Sequence, residues 1–303
     1  MFATISTAAD NRAARLAGIG LMLAGISMFS CGDAIGKFLV GTYSVGQLML
    51  LRACAALVLL SPSIWRHRAE FLQLERPVLQ VIRVVLSTLE VAAFFWAAAY
   101  LPLADVITYY LACPIFVTAG SAIFLREPVG WRRWSAVVVG FCGVLIALQP
   151  SAQTITWPAL IALCGSASFA ALMLITRSLR GAPDVVLATT QFMGTFTFGA
   201  ILTPLTWLTP SLRDLSFFFL AGGVSVVALL CVNRSLKLAP ASVVVPYQYS
   251  MIIWAVMFGY LVFGELPSMA TIVGAAIIIA AGLYIFLREQ KLGKIEAEVS
   301  PPV

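Results

Sequence analysis

LAGISMFSCGDAIGKFL at residues 23–39 and LCGSASFAALMLITRSL at residues 163–179 read as two versions of one helix. At an offset of 140, Leu23, Gly25, Phe29, Ile35 and Leu39 meet Leu163, Gly165, Phe169, Ile175 and Leu179, and Lys37 meets Arg177. A second pair of stretches repeats at an offset of 138, where Pro102, Val106, Tyr109, Ile115 and Glu127 meet Pro240, Val244, Tyr247, Ile253 and Glu265. Apolar helices share a small alphabet, so five matches in one stretch carry little. A nearly constant offset in two distant stretches carries the duplication.

Outward from these stretches the chain divides into ten apolar spans, placed at 16–40, 44–61, 78–100, 104–125, 132–150, 157–176, 185–206, 214–233, 242–263 and 268–287. Each is about the length a helix needs to cross a hydrocarbon core of roughly 30 Å. Five spans per copy is an odd number, which forces the second copy to run upside down in the bilayer, the arrangement of alternating-access carriers. The expected fold is therefore all-α integral membrane, with ten transmembrane helices as two inverted five-helix repeats. Residues 1–150 form the first repeat, and residues 151–303 the second with a short tail.

Composition agrees. At 61% hydrophobic and 11% charged, the chain is far below the roughly 25% charge of a soluble domain. The connections between spans are too short for a separate soluble domain.

With the N-terminus inside, fifteen of the nineteen Lys and Arg fall in cytoplasmic segments, Arg213 alone falls in an outer loop, and Lys37, Arg52 and Arg83 lie within spans. Both termini are thus expected in the cytoplasm. The net charge of +6 is a topology signal facing anionic inner-leaflet lipid, so the partners are the lipid bilayer and a small-molecule substrate, with no nucleic acid. Residues 1–15 resemble the start of a secretory leader. The apolar run behind them is too long and lacks a small-residue cleavage site, so helix 1 is expected to be retained. Residues 288–303, which alternate Lys and Glu, are expected as a cytoplasmic tail.

Cys31, Cys54, Cys113, Cys142, Cys164 and Cys231 all lie in spans without metal-ligand spacing, and His67 is the sole histidine. Intramembrane thiols of this kind act as small apolar residues. One imidazole builds neither a zinc site nor a His-dependent triad, so no metal and no cofactor is expected. No nucleophile elbow, zinc-helix motif or P-loop occurs. The chain is expected not to be an enzyme and not to use ATP directly.

Charges inside spans cost about 2.5–3.5 kcal/mol each at a helix centre. Asp33 and Lys37 stand four apart with the acid first, so mutual neutralisation is expected; a substrate or proton role for Asp33 is the alternative. Arg52 has no acid in its span and needs a partner on another helix or must snorkel. Arg83 and Glu90 share a face but are about 10 Å apart along the axis, too far to pair. Glu90, on a face with Ser87, Phe94 and Ala97, is a candidate cavity carboxyl for substrate or a proton, the alternative being a tie to Arg52. Lys37, Arg52 and Arg83 are read as structural or coupling charges.

Tyr109, Tyr110 and Tyr247 stand near prolines that interrupt corresponding helices, namely Pro102, Pro114, Pro240 and Pro246. A proline frees a carbonyl that a ligand can use at a cavity, so these tyrosines are cavity candidates as well as interfacial-belt candidates. With Phe94 and Phe169 they would build an aromatic wall, while Ser30, Glu90 and Asn233 would fix a charged end of the cargo. Gly32 and Gly36, Gly140 and Gly143, and Gly274 and Gly282 permit close helix approach. On helices 5 and 10 they are candidates for the contact between halves or between the protomers of a homodimer.

FSCGDAIGK at 29–37, QLMLLR at 47–52, YLPLAD at 100–105, the run from Pro114 to Glu127 and that from Pro240 to Glu265 together resemble the drug/metabolite transporter superfamily in its EamA-like form. The resemblance covers the chain from about Gly18 to Arg288. It implies a central cavity lined by helices 1, 3, 4, 6, 8 and 9, with 5 and 10 outside. Within the superfamily the chain looks most similar to YddG-type aromatic amino acid exporters. That implies a bacterial inner-membrane secondary transporter exporting aromatic or other apolar amino acids. Riboflavin and S-adenosylmethionine importers share the opening motif and are the alternative. A phosphate-bearing cargo would want clustered cavity cations, which these separate helices do not supply. A channel would want a ring of like side chains, and an intramembrane enzyme has only Glu90 with Asp33 to offer.

Overall fold

The computed structural model describes residues 2–72, 76–113, 115–117, 131–148, 156–179, 181–238 and 244–299. Ten helices organise these residues: α1 (Phe2–Val40), α2 (Val45–Arg66), α3 (Pro77–Ala98), α4 (Leu103–Tyr110), α5 (Trp131–Leu148), α6 (Trp157–Ser178), α7 (Asp184–Leu202), α8 (Leu212–Leu238), α9 (Met251–Phe263) and α10 (Met269–Val299). No strand occurs among the described residues. Six helices carry spans long and apolar enough to cross a bilayer, and four shorter apolar helices stand at the places of spans 4, 5, 9 and 10. The chain is a multi-pass membrane protein.

Two boundaries differ from expectation. α10 continues to Val299, so the helix runs past the expected span end at 287 and the segment expected as a tail is helical over residues 288–299; its Lys, Glu and Gln are strong helix formers. The ninth span is divided, with a 3-10 segment over Val245–Ser250, in which Pro246 stands, followed by α9. A proline supplies no N–H to an α ladder, and the tighter turn accommodates it. Pro102 caps the start of α4. Pro114, Pro240 and Glu127 lie outside the described residues.

The duplication reappears in the packing. α1 packs on α8 and α3 on α6, while α2 packs on α7, α4 on α9 and α5 on α10. Exchanging helices 1–5 for helices 6–10 turns the first contact into the second and returns each of the other three to itself. Two of the lesser contacts obey the same exchange: α2 with α8 answers α7 with α3, and α1 with α9 answers α6 with α4. Two copies of one helical pattern bury the same stripes against each other, and a pseudo-twofold axis follows. The main apolar core includes buried Leu39, Leu48, Met49, Phe95, Leu103 and Ile107.

Lipid is as apolar as these side chains, so helix association depends on close packing rather than hydrophobic burial. α5 and α10 show how close it becomes. A Cβ on Gly274 would lie 2.6 Å from the Ala147 Cβ and 2.7 Å from the Gly143 carbonyl oxygen. The contact expected between halves or protomers is thus, within this chain, a contact between halves. Gly274→Ala is expected to cost on the order of 1–3 kcal/mol through overpacking, read as a lower thermal midpoint in detergent. Gly20→Ala, where nothing lies within 4 Å, is the control. Equal midpoints for the two variants would overturn this account of the α5–α10 contact.

Candidate functional site

A cavity of about 120 Å³ lies inside the bundle, room for a small ligand where a single trapped water needs roughly 10–15 Å³. α1, α3, α4, α6, α8 and the segment leading into α9 line it, and α5 and α10 stay outside. The six-helix lining implied by the family resemblance is incomplete, because α2 adds Arg52 and Ala53, and α7 adds Gln191, Phe192 and Thr195.

Of the residues singled out in the sequence, Asp33, Arg52, Arg83, Glu90, Phe94, Tyr110, Phe169 and Asn233 line this cavity. Ser30, Tyr109, Tyr247 and Lys37 do not. Ser30 is buried with its hydroxyl unpartnered. Tyr109 is packed into the main apolar core, and Tyr247 against the cluster of Met22, Ile26, Val232 and Val244. Tyr110 and Gln248, equivalent at the same offset of 138, both line the cavity. One step along a helix turns a side chain by about 100°, enough to exchange cavity for core.

Phe29 was not singled out, yet it lines the cavity opposite its repeat equivalent Phe169, as Met173 does for Asp33 at the offset of 140. The duplication itself was the signal that could have found them. Gln191 and Thr195, one turn apart on one face of α7, offered a second.

The charges come together as follows. Arg52 donates through Nε to Ser225 Oγ at 2.8 Å and lays its guanidinium 5.1 Å from the Phe95 ring centre. Asp33 and then Glu90 are the opposite charges acting on it. Neither carboxylate makes a direct ion pair or side-chain hydrogen bond among the described residues. The three groups line one cavity, two carboxyls to one guanidinium, with Asp33 and Glu90 the acids that act on Arg52. Asn233 Nδ2, on the same cavity, is buried without an acceptor.

Aromatic rings wall the same space. Tyr110 packs edge-on against Phe94 at 5.3 Å and tilted against Phe169 at 6.4 Å, and its hydroxyl donates to the Glu90 carbonyl at 3.0 Å. This leaves ring faces beside the carboxylates, an arrangement that takes a flat or apolar body carrying a cationic group.

The expected Asp33–Lys37 pair is not formed. Lys37 Nζ lies 2.7 Å from both Glu265 oxygens and donates to the Leu101 carbonyl at 2.9 Å. Gly264, at φ +67, ends α9 in the left-handed turn that glycine adopts without strain, and this swings Glu265 back over the end of α1. Leu103 N also donates to Glu265, at 3.1 Å. The lysine thus ties the two repeats together at one end of the bundle and leaves Asp33 to the cavity. At that end Gln47 exchanges hydrogen bonds with the Leu208 backbone, donating at 2.5 Å and accepting at 3.0 Å. Tyr43 donates to Asp214 at 2.7 Å, and that hydrogen bond raises the tyrosine's pKa. At the opposite end Lys237 lies 2.7 Å from Asp184 and donates to the Ala182 carbonyl at 2.9 Å.

Comparison with known proteins places this cavity in context. The EamA-like transporter family matches residues 16–149 and again residues 156–287. An S-adenosylmethionine uptake transporter of Rickettsia felis is 25% identical over 91% of this chain and 94% of its own. A riboflavin transporter of Rhizobium johnstonii is 31% identical over 75% of this chain and 72% of its own. A pseudopaline exporter of Pseudomonas aeruginosa is 24% identical over 86% and 94%. A solved crystal structure superposes with a TM-score of 0.65 over 93% of this chain and 99% of its own, at 15% identity, a likeness of fold alone. The three named relatives carry cargo other than aromatic amino acids, so the similarity stands at the level of the family rather than the YddG-type branch.

Proposed function

The chain belongs to the EamA-like transporter family and transports a small metabolite, and from that premise we propose that its cargo is an amine-bearing metabolite with a flat or apolar body, moved by alternating access between two inverted repeats. The observation that carries this reading is the pair of carboxylates, Asp33 and Glu90, sharing one arginine inside an aromatic-walled cavity. Two negative charges against one positive leave a place for a cation, and the rings beside it suit a planar or apolar group.

Aromatic and other apolar amino acids answer that description, and their export across a bacterial inner membrane with both termini cytoplasmic remains our reading of the physiological task. S-adenosylmethionine answers it as well, with an amino-acid head, a sulfonium cation and a purine, and the Rickettsia felis relative favours it as a second cargo. Riboflavin, a neutral molecule, would leave the buried charges without a counterpart, at a cost of several kcal/mol per unpaired ion. Residues 1–150 and 151–303 are the two halves that would rock about this site.

The test is flux in proteoliposomes containing the full chain, with phenylalanine, tryptophan, S-adenosylmethionine, riboflavin and aspartate compared with and without a pH gradient. Saturable flux of an amine-bearing, flat or apolar cargo, about tenfold above aspartate and riboflavin, is the expected result. Riboflavin flux without movement of any amine-bearing cargo would overturn it.

A further inference from the structure

Arg83 differs from every other charge in the cavity. It is 1% exposed and is the largest fully buried side chain among the described residues, and it borders the same cavity as Glu90. Its Nε donates to Thr176 Oγ1 at 3.0 Å, one terminal nitrogen to the Leu187 carbonyl at 2.9 Å and the other to Gln191 Oε1 at 3.2 Å. All three acceptors are neutral. Among the described residues no carboxylate lies within 4 Å of the guanidinium. Arg52 has two acids to answer it, Lys37 has Glu265 and Lys237 has Asp184; Arg83 has none.

A buried cation held only by neutral dipoles is expensive in an apolar interior, while three contacts from two neighbouring helices, α6 and α7, hold its fork in one orientation. A guanidinium has five N–H donors, so two remain, one on each terminal nitrogen. Such a fork matches the two oxygens of a carboxylate. Glu90 stands seven residues further along α3 on the same face, about 10 Å along the axis. One helix thus presents a positive group and, two turns away, the Glu90 carboxyl, which shares the cavity with Asp33 of α1.

We infer that Arg83 is the anchor for the cargo's carboxylate, so that a dipolar cargo sits with its cationic end toward Asp33 and Glu90 and its anionic end toward α6 and α7. This deepens the proposed function and rests on it for the cationic end. The carboxylate end stands on the geometry of Arg83 alone. The same geometry places the specificity for an acid over its amide in this residue, and gives Thr176 and Gln191 the task of aiming it.

Three single-function probes separate the ends: 3-phenylpropionate, its neutral analogue 3-phenylpropionamide, and phenethylamine. Binding is measured to the purified full chain in detergent. The wild type is expected to bind the acid about tenfold more tightly than the amide, the discrimination of one charge-assisted contact. Arg83→Gln should erase that difference while holding phenethylamine within about twofold of wild type. Glu90→Gln should do the reverse, weakening phenethylamine and sparing the acid. If Arg83→Gln fails to accumulate, Arg83→Lys carries the comparison; it keeps the charge, loses the fork and should retain part of the preference.

Equal binding of acid and amide by the wild type would overturn the inference. So would an undiminished acid preference in Arg83→Gln, or a loss of acid, amide and amine affinity by one common factor, which marks a structural strap. Failure of every amino acid in the flux assay with the acid preference intact would sink the proposed cargo and leave the anchor standing.

Discussion

Glu90→Gln is expected to lower flux about 100-fold at substrate concentrations below KM while leaving the thermal midpoint near wild type. The carboxylate is partly exposed to the cavity and has no direct partner among the described residues, so the fold loses little when it becomes an amide. A bound cation loses a charged contact worth about 1.5–3 kcal/mol, and the upper part of that range corresponds to the stated loss. Initial rates in proteoliposomes, with the midpoint of the same preparation in detergent, check it. Wild-type flux in a well-folded variant would remove Glu90 from the site. A variant that fails to fold would make it a structural partner of Arg52.

Arg52→Met is expected to behave differently, losing both transport and stability, with the unfolding free energy down by on the order of 3 kcal/mol. The substitution removes the hydrogen bond to Ser225 and leaves Asp33 and Glu90 as two like charges with no cation between them. Adding Asp33→Asn relieves that repulsion, so the double variant should recover on the order of 1 kcal/mol relative to Arg52→Met. A double-mutant cycle reads this coupling directly. Strict additivity would show that the arginine serves Ser225 and the Phe95 ring alone.

The charged residues that line the cavity share one property: each was marked by a feature that does not depend on which way its helix is turned. Asp33, Arg52, Arg83 and Glu90 are charged residues in spans that should contain none, and the membrane leaves few places for a charge except a cavity or a partner. Phe169 was marked by its duplication with Phe29. The choice between neighbouring positions was not legible, because Tyr109 and Tyr110 stand beside the same prolines and one step along a helix turns a side chain by about 100°. Packing sets that phase: Tyr110 and Gln248 line the cavity, and Tyr109 and Tyr247 pack into apolar clusters.

Lys37 shows a different failure. Along the sequence its nearest acid is Asp33, four residues away, and nothing local opposes that pair. The partner it takes is Glu265, 228 residues distant. It is delivered by a glycine turn at the end of α9, a contact that depends on how the second repeat lies on the first.

By itself the sequence determined that the chain is a membrane protein, that it is helical, and that one five-helix pattern occurs twice. Those conclusions rest on composition, span length and a fixed offset, each a property of residues read in order. Only the tertiary structure decided which helices meet, which side of each faces the cavity, and which acid answers which base. In an apolar solvent the hydrophobic pattern no longer distinguishes inside from outside, and the close approach of Gly143 to Gly274, the Gly264 turn and the buried hydrogen bonds of Arg83 make that choice in its place.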